Sequence, residues 1–532
     1  MTTDRGWGAD VAHSEVHGHP CRVYRDRRRT IVAVLDQIQR WPDRTFIVHG
    51  DRHVTFGEFA RLTRAVADRL ASCGVSRGDR VAIYAANSPE WAATFFAVLK
   101  LGGIVVPCNG WWSAEELAHA CATCGPAFLV ADERHLRRVP AGLSTIPIEW
   151  LSTPAEDLAP SIWDDPEVDE DAPAVILFTA GTTNFPKGAV LSHRALVANL
   201  QTLLIVSNKL PHQIGDDNPA SVTLVGLPLF HIGAIQLILV PLMTGSRIVF
   251  LEGRFEASAV LRLVEHEGVT MFSGVPTMME RLLAHGDLGH RDVRSLRTVV
   301  LGGSPVDDGL LARVAAAFPS TTRGVGQTYG LTEAGGVVST GVGADIRTHP
   351  GSSGRLAPVV EVRVKDPDSS GTGEILVRSP ACMDGYWGLP DDTTIDDDGW
   401  VATGDLGRVD AERFLYVTGR IKDVIIRGGE NISAGRVEAV LREYPGVAEV
   451  AVVGLEDADL GEVVGAVVVA SSPAPKTGEL TAFAAERLGH FEVPARWWLR
   501  TEPLPTNAAG KVLKRELVAG WPPEAQSAVP SR

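Results

Sequence analysis

The 532-residue chain predicts an α/β fold built from successive stretches. Three observations carry that prediction. Helical and strand patterns alternate through the first ~170 residues and again from about 190 to 345, which predicts two α/β subdomains. From about 350 to 418 the runs shorten between Gly and Asp turns, which predicts a small β subdomain. After Gly419-Arg420 a compact α+β pattern follows, the mark of a separate small C-terminal domain.

The elements follow in order. Thr30–Gln39 reads as an amphipathic helix. Arg27-Arg28-Arg29 precedes it, but Asp36 lies inside it and no small-residue cleavage site follows, so it is not read as a targeting signal. Phe56–Leu70 is a second amphipathic helix. The turn Ser76-Arg77-Gly78-Asp79 introduces a short apolar strand, Arg80–Tyr84. Glu90–Leu101 is helical, and Ile104–Pro107 returns as a strand. Ser161–Asp171 is an acidic connector before the buried strand Ala174–Leu177. Short strands are expected at Val360–Val364, Gly373–Val377 and Phe414–Val417. The last domain reads as helix Arg436–Glu443, strands Val447–Val453 and Val463–Val469, and helix Leu480–Leu488. The tail after Gly520 is rich in Pro, Ser and Ala, and disorder is expected there. No internal repeats are visible.

Length bounds the chain to roughly two to four domains. Hydrophobic residues make up 45% and charged residues 22%, ordinary for a globular protein. A formal net charge of −15 argues against broad binding to nucleic acid or an anionic membrane. A polyanionic ligand must therefore meet a local cluster of basic groups. No apolar run is long enough to span a bilayer. Six cysteines are too few for a disulfide scaffold, and a reducing cytoplasmic compartment fits them. Cys121 and Cys124 form a lone C-x-x-C, read as core packing at a helix end rather than as a metal or redox site.

The string from Phe178 to Gly188 carries the most chemical information. Thr179, Gly181, Thr182, Thr183 and Lys187 follow an apolar strand. Glycines let backbone amides approach an anion, threonines add donors, and the lysine adds charge, so the string reads as a phosphate cradle. It is not a Walker A loop. The stretch Gly324–Glu333 places glycines, Tyr329 and a Thr332-Glu333 pair together, which suits a flat base beside a phosphate-bound metal. It fails the dinucleotide pattern, so a dehydrogenase reading weakens. Each remaining string, taken alone, is an ordinary turn or loop: Gly302-Gly303-Ser304-Pro305, Leu227–Gly233 around His231, Thr403-Gly404-Asp405, Gly419–Asp423, Arg427–Ile432 and Pro505–Lys511.

Together, in this order, these strings resemble the adenylate-forming (AMP-binding) superfamily, in its acyl-CoA synthetase and fatty-acid–CoA ligase-like branch. Gly78–Ile83 and Asn87-Ser88-Pro89-Glu90-Trp91 resemble its first subdomain. The resemblance spans about residues 45 to 515. It implies a large domain, 1–421, and a small mobile domain, 422–532, pivoting near Lys422. Acid and MgATP would give an acyl-AMP, which the CoA thiol then attacks after a hinge motion. By resemblance, Thr179, Gly181, Thr182, Thr183 and Lys187 hold the triphosphate, and Ser304, Tyr329 and Gly330 border the adenine. Thr332 meets the α-phosphate, and Glu333 holds Mg²⁺, for which one carboxylate plus phosphate oxygens suffices. Asp405 and Arg420 grip ribose and phosphate. Lys422, Arg427, Gly428 and Gly429 belong to the hinge and the CoA loop. Lys511 is the catalytic lysine, stabilising charge that develops in the transition state, and His231 lies near the substrate carboxylate.

The expected acyl pocket combines His231, Gly274 and Val275 of the Ser273–Met278 segment, Gly302, Gly303 and Gly326. It is apolar and carries no cation for a second carboxylate, so the expected acid is hydrophobic: fatty, aryl or polycyclic. The partners expected are that acid or its adenylate, and CoA; neither nucleic acid nor a membrane span is expected, and a homodimer is left open. Two residues depart from the family pattern. Asn184 stands where Gly or Ser is usual, and Ala180 where Ser is common. Both bear on the pyrophosphate end, which motivates a second reading: a ligase that acts only on preformed acyl-AMP. A non-catalytic adenylate-binding protein and an enzyme that transfers the acyl group to a carrier protein also compete with the synthetase reading. Ala434 and Arg436 depart from the usual pattern as well and are read as structural.

Overall fold

The computed structural model describes residues 7–152, 168–179, 185–215, 220–321, 324–427, 430–470, 474–507, 512–522 and 526–527. The chain divides into two compact units, one of 1–362 with 377–403, the other of 363–376 with 404–532.

The first unit is built on two sheets. One has six strands and contains Arg80–Tyr84, Ile104–Pro107, Phe128–Ala131 and Thr145–Pro147 in parallel. Pro173–Thr179 joins it in parallel, and Lys187–Ser192 closes the edge antiparallel to Pro173–Thr179. The phosphate-loop string is thus the connection of a β-hairpin, with Lys187 opposite Thr179. The other sheet has nine strands. Its central strands Val325–Leu331, Thr298–Gly302, Met271–Gly274, Val222–Val225, Arg247–Phe250 and Thr45–His49 run parallel in that spatial order.

The two α/β stretches of the sequence are therefore interleaved. Thr45–His49, from the first stretch, pairs with Arg247–Phe250 in the second sheet. Lys187–Ser192, at the start of the second stretch, completes the first sheet. Periodicity cannot assign a strand to one of two sheets, because it records which face is apolar and not which neighbour bonds to it.

Local chemistry sets the helix boundaries. Thr55 and Glu58 form a capping box for Phe56–Ser72, so the helix starts where its first free amides are satisfied. Ser88 accepts from Trp91 N and Pro89 occupies the first turn of Pro89–Lys100, a start that loses no helical hydrogen bond. This helix buries Trp91, Phe95 and Phe96 among Phe46, Phe56 and Phe59 in the largest core cluster. Thr30–Gln39 forms as a short α-helix, Ile31–Leu35, continued by a 3₁₀ turn, Asp36–Arg40. Cys121 and Cys124 end the helix Ala114–Cys124 as buried core residues, and burial pushes their thiols up to about 11 and about 12.

In the second unit, Val447–Asp457 and Gly461–Ala470 form a long antiparallel pair, with Arg496–Arg500 parallel to the latter. Helices Ala434–Arg442 and Thr477–Ala485 supply Val437, Leu441, Leu480 and Ala484 to a core with Val450, Val452 and Val464. Ala434 is buried in that core, and Arg436 pairs with Glu492 at 3.0 Å. The expectation of disorder after Gly520 is corrected at Trp521. Its ring meets Trp498 edge-on at 5.8 Å, because an indole has too much apolar surface to leave in water.

Candidate active site

The nine-stranded sheet gathers the sequence motifs at one edge. Gly274 pairs with Leu301, and Gly302 with Thr328, so the carboxyl ends of these parallel strands lie side by side. Val275, Gly303-Ser304 and Tyr329–Glu333 leave from those ends. The neighbouring strand Val222–Val225 runs on toward His231, the residue before helix Ile232–Thr244. In open α/β sheets this edge is where ligands bind. Several of the glycines serve close approach. A Cβ at Gly302 would sit 2.6 Å from Thr328 Cγ2, and one at Gly326 would sit 2.3 Å from Gly341 O across the strand pair.

Glu333 is the centre of the site. Its Oε1 accepts from Thr179 Oγ1 at 3.0 Å and from the Tyr386 hydroxyl at 2.8 Å. The first bond joins the phosphate-loop strand to the motif 154 residues away. Lys187, opposite Thr179 on the hairpin, places its ammonium 2.6 Å from Asp392 Oδ2 and 4.8 Å from the Tyr386 ring centre. Burial, with the Glu333 charge and hydrogen bond beside it, raises the Tyr386 phenol far above its ordinary value. Tyr386 therefore stays a donor.

A metal at Glu333 would meet one protein carboxylate. Among the described residues no group of three or more His, Cys, Asp or Glu could hold an ion by itself. The remaining ligands must come from phosphate oxygens and water, which is the usual mode of Mg²⁺ beside a nucleotide. The donor set fits that ion.

His231 stands in an aromatic row. Its ring lies 4.4 Å from Phe230, which meets Trp111 edge-on at 5.4 Å. Burial lowers its pKa to about 4, so the imidazole is neutral near pH 7. Its Nε2 is buried and finds no hydrogen-bond partner among the described residues, so it is available to a substrate group. Asn87 fixes the loop before it: the side chain donates to Leu227 O and accepts from Leu229 N, both at 2.9 Å.

In the second unit, Asp405 and Arg420 are cross-strand partners, with Arg420 Nε 2.7 Å from the buried Asp405 carboxylate. Lys422 is exposed in the 3₁₀ turn Ile421–Asp423. Arg427 ends strand Val424–Arg427 and donates to Phe491 O at 2.8 Å. Ala180, Gly181, Thr182, Thr183, Asn184, Gly428, Gly429 and Lys511 lie outside the described residues.

Sequence reasoning missed Tyr386, Asp392, Asn87 and Asn199 as parts of this assembly. Asn199 is buried and donates to Gly335 O at 2.6 Å, fixing the turn after Glu333. A polar Asn inside the apolar helix His193–Val206 was a usable signal. Tyr386 and Asp392 carried none, since their role depends on strand pairing far from the motifs.

A hydroxyl-gripped carboxylate beside a lysine hairpin, at the ligand edge of an α/β sheet, defines a nucleotide-dependent enzyme. The chain belongs to the AMP-binding enzyme family. The family model matches residues 34–387, and that of the AMP-binding enzyme C-terminal domain matches 436–511. The feruloyl-CoA synthase of an Amycolatopsis species is 36% identical over 485 residues, covering 90% of this chain and 96% of its own. The indoleacetate–CoA ligase of Aromatoleum aromaticum is 34% identical, with the same coverage of 90% and 96%. The o-succinylbenzoate CoA synthetase of Bacillus subtilis, solved with its acyl-adenylate intermediate, superposes with a TM-score of 0.78 at 30% identity, covering 91% of this chain and 97% of that one. The same synthetase has also been solved with ATP and magnesium ion. The chain is an AMP-forming acid–thiol ligase, an acyl-CoA synthetase.

Proposed function

We propose that this ligase activates a hydrophobic, ring-bearing carboxylic acid with MgATP and passes the acyl group to CoA. The observation that carries the reading is the bond from Thr179 to Glu333, which joins the hairpin proposed to hold the triphosphate to the carboxylate proposed to hold Mg²⁺. In the first step a substrate carboxylate oxygen attacks the α-phosphorus, and the bond to the pyrophosphate oxygen breaks. Lys187 would meet the leaving pyrophosphate, and Thr332 the α-phosphate. Lys511 would stabilise charge at the reacting centre. Mg²⁺ bound at Glu333 would neutralise phosphate charge. In the second step the CoA thiolate sulfur attacks the acyl carbon and AMP leaves. Asp405 and Arg420 would hold the ribose and phosphate through both steps, and Arg427, Gly428 and Gly429 would meet CoA as the small domain, 422–532, turns about Lys422.

The row Trp111, Phe230 and His231 supports this substrate class. Aromatic faces favour a planar ring over a flexible chain. The neutral His231 Nε2 can bond an oxygen without adding charge. Two relatives are named for feruloyl and indoleacetate groups, both on ring-bearing acids.

The test is pyrophosphate release from free acids with MgATP, before CoA is added. Ring-bearing acids are expected to outperform straight-chain acids of equal size. Absence of release from every acid, with thioester still formed from supplied acyl-AMP and CoA, would establish the ligase as one that has kept only its second step.

A further inference from the structure

We propose that Tyr386 is the positioning residue of the Glu333 metal arm, and that the segment 381–387 serves as its mount. The inference rests on the reading of Glu333 as the Mg²⁺ ligand and goes beyond it.

Four contacts tie the turn to the mount and its surroundings. The Tyr386 hydroxyl donates to Glu333 Oε1 at 2.8 Å. Met383 N donates to Glu333 O at 2.9 Å, so backbone and side chain are held by one segment. Gly335, two residues on, has φ +70°, and a Cβ there would sit 1.7 Å from Ala381 O. Gly336 has φ +125° with the Asn199 amide against it. Only glycines allow the turn to press this closely on its support.

The mount is fixed to the phosphate hairpin. Val190 N donates to Gly385 O at 3.0 Å, Asp384 N to Val190 O at 2.9 Å, and Trp387 N to Gly188 O at 2.8 Å. Tyr386 therefore adds itself as a strand fragment beside Lys187–Ser192, bridged to Ala189. Thr179 lies on the other side of that strand. The two hydroxyls on Glu333 Oε1 thus come from one rigid three-strand unit.

The consequence is chemical. Two donors on Oε1 fix the carboxylate plane and would leave its second oxygen for a Mg²⁺ ion. Hydrogen bonds of this kind orient metal-binding carboxylates, and losing one typically costs roughly 10–100-fold in metal affinity. Without the Tyr386 hydroxyl the carboxylate would rotate, and Mg²⁺ binding would have to reorient it.

The experiment compares wild type with Tyr386→Phe in the full-length chain. ATP binding is titrated calorimetrically at a series of Mg²⁺ concentrations, with AMP alone as the metal-free control. The expected result is a roughly tenfold rise in the Mg²⁺ needed for half-maximal ATP binding, with unchanged AMP affinity and an unchanged thermal midpoint. An unaltered Mg²⁺ dependence overturns the proposal. So does a parallel loss of AMP and ATP binding with a lowered midpoint, which marks a merely structural tyrosine. Should Y386F fail to fold, Tyr386→His, which keeps a flat ring beside Lys187 but loses the hydroxyl, is read by the same criteria. Wild-type protein that binds AMP and ATP with no response to Mg²⁺ overturns the metal reading of Glu333 and the proposal with it.

Discussion

The ammonium of Lys187 lies 2.6 Å from Asp392 Oδ2, and both side chains are largely shielded from solvent. Burial opposes the Asp392 charge, but the bonds from Lys187 and Thr394 outweigh it and hold the carboxyl below its usual range. The pair's contribution is therefore complete above the usual carboxylate pKa of ~3.9. It is lost as pH falls through the lower value of the folded chain.

Removing one partner should cost more than removing both. Lys187→Met leaves a shielded carboxylate unpaired and is expected to destabilise the first unit by about 1–3 kcal/mol. Asp392→Asn in the same chain should recover most of that loss, because the uncompensated charge goes with it. Denaturant unfolding of the two variants reads the difference. Equal stability of K187M and K187M/D392N would show that the pair is held no better than a surface one.

Two shielded histidines, His193 buried and His231 half-buried, set an acid limit. Burial lowers both His193 and His231 from 6.5 to about 4. His193 Nδ1 also accepts from Ile31 N at 3.3 Å, so that nitrogen carries no proton. In the unfolded chain both rings take a proton near pH 6.5, and in the folded chain only near 4. Stability is thus full above 6.5 and falls progressively toward 4, by on the order of 3 kcal/mol for each ring. Thermal midpoints measured across that range should drop with acid. His193→Gln keeps an acceptor for Ile31 N and should flatten the slope; an unchanged slope would place the effect elsewhere.

The glycine beside Glu333 should be far less replaceable than an open one of similar φ. Gly335→Ala places a Cβ 1.7 Å from Ala381 O, whereas Gly351, at φ +74°, has nothing within 4 Å. Gly351→Ala should cost about 1–2 kcal/mol, from the left-handed backbone alone. Gly335→Ala should cost more than that and abolish pyrophosphate release by displacing Glu333. Thermal unfolding and the release assay separate the two; similar behaviour would mean the turn can shift freely.

Asp405→Asn tests the nucleotide grip of the second unit. The buried carboxylate pairs with Arg420 at 2.7 Å and is expected to accept ribose hydroxyls. Loss of charge-assisted bonds worth ~1.5–3 kcal/mol should weaken AMP binding by roughly 10–100-fold. Both half-reactions should slow, because both use the AMP moiety. A defect confined to the first would argue for a role at the triphosphate instead.

Much of this site is legible in the sequence. Thr179, Lys187 and Glu333 stand in strings whose local chemistry shows: glycines for close approach, hydroxyls and a cation for phosphate, an acid for a metal. Asp405 and Arg420 sit in ordinary turns and stand out only through the family resemblance. Caps such as Thr55-Glu58 and Ser88-Pro89 likewise act within a few residues, and the helices start there. Tyr386 and Asp392 are silent, because nothing within their own turn requires a phenol or a carboxylate.

The sequence by itself determined the α/β class, the succession of elements and a phosphate-handling loop, since these rest on short-range periodicity and on functional-group identity. The adenylate chemistry came from the resemblance its strings carry together. Tertiary structure alone decided that Thr45–His49 crosses into the second sheet. It also decided that Tyr386 meets Glu333, 53 residues away, and that Lys187 closes onto Asp392, 205 residues away. Those choices are made by strand pairing and burial among distant segments, where backbone bonds set the register and side chains reach whatever the register brings within 3 Å.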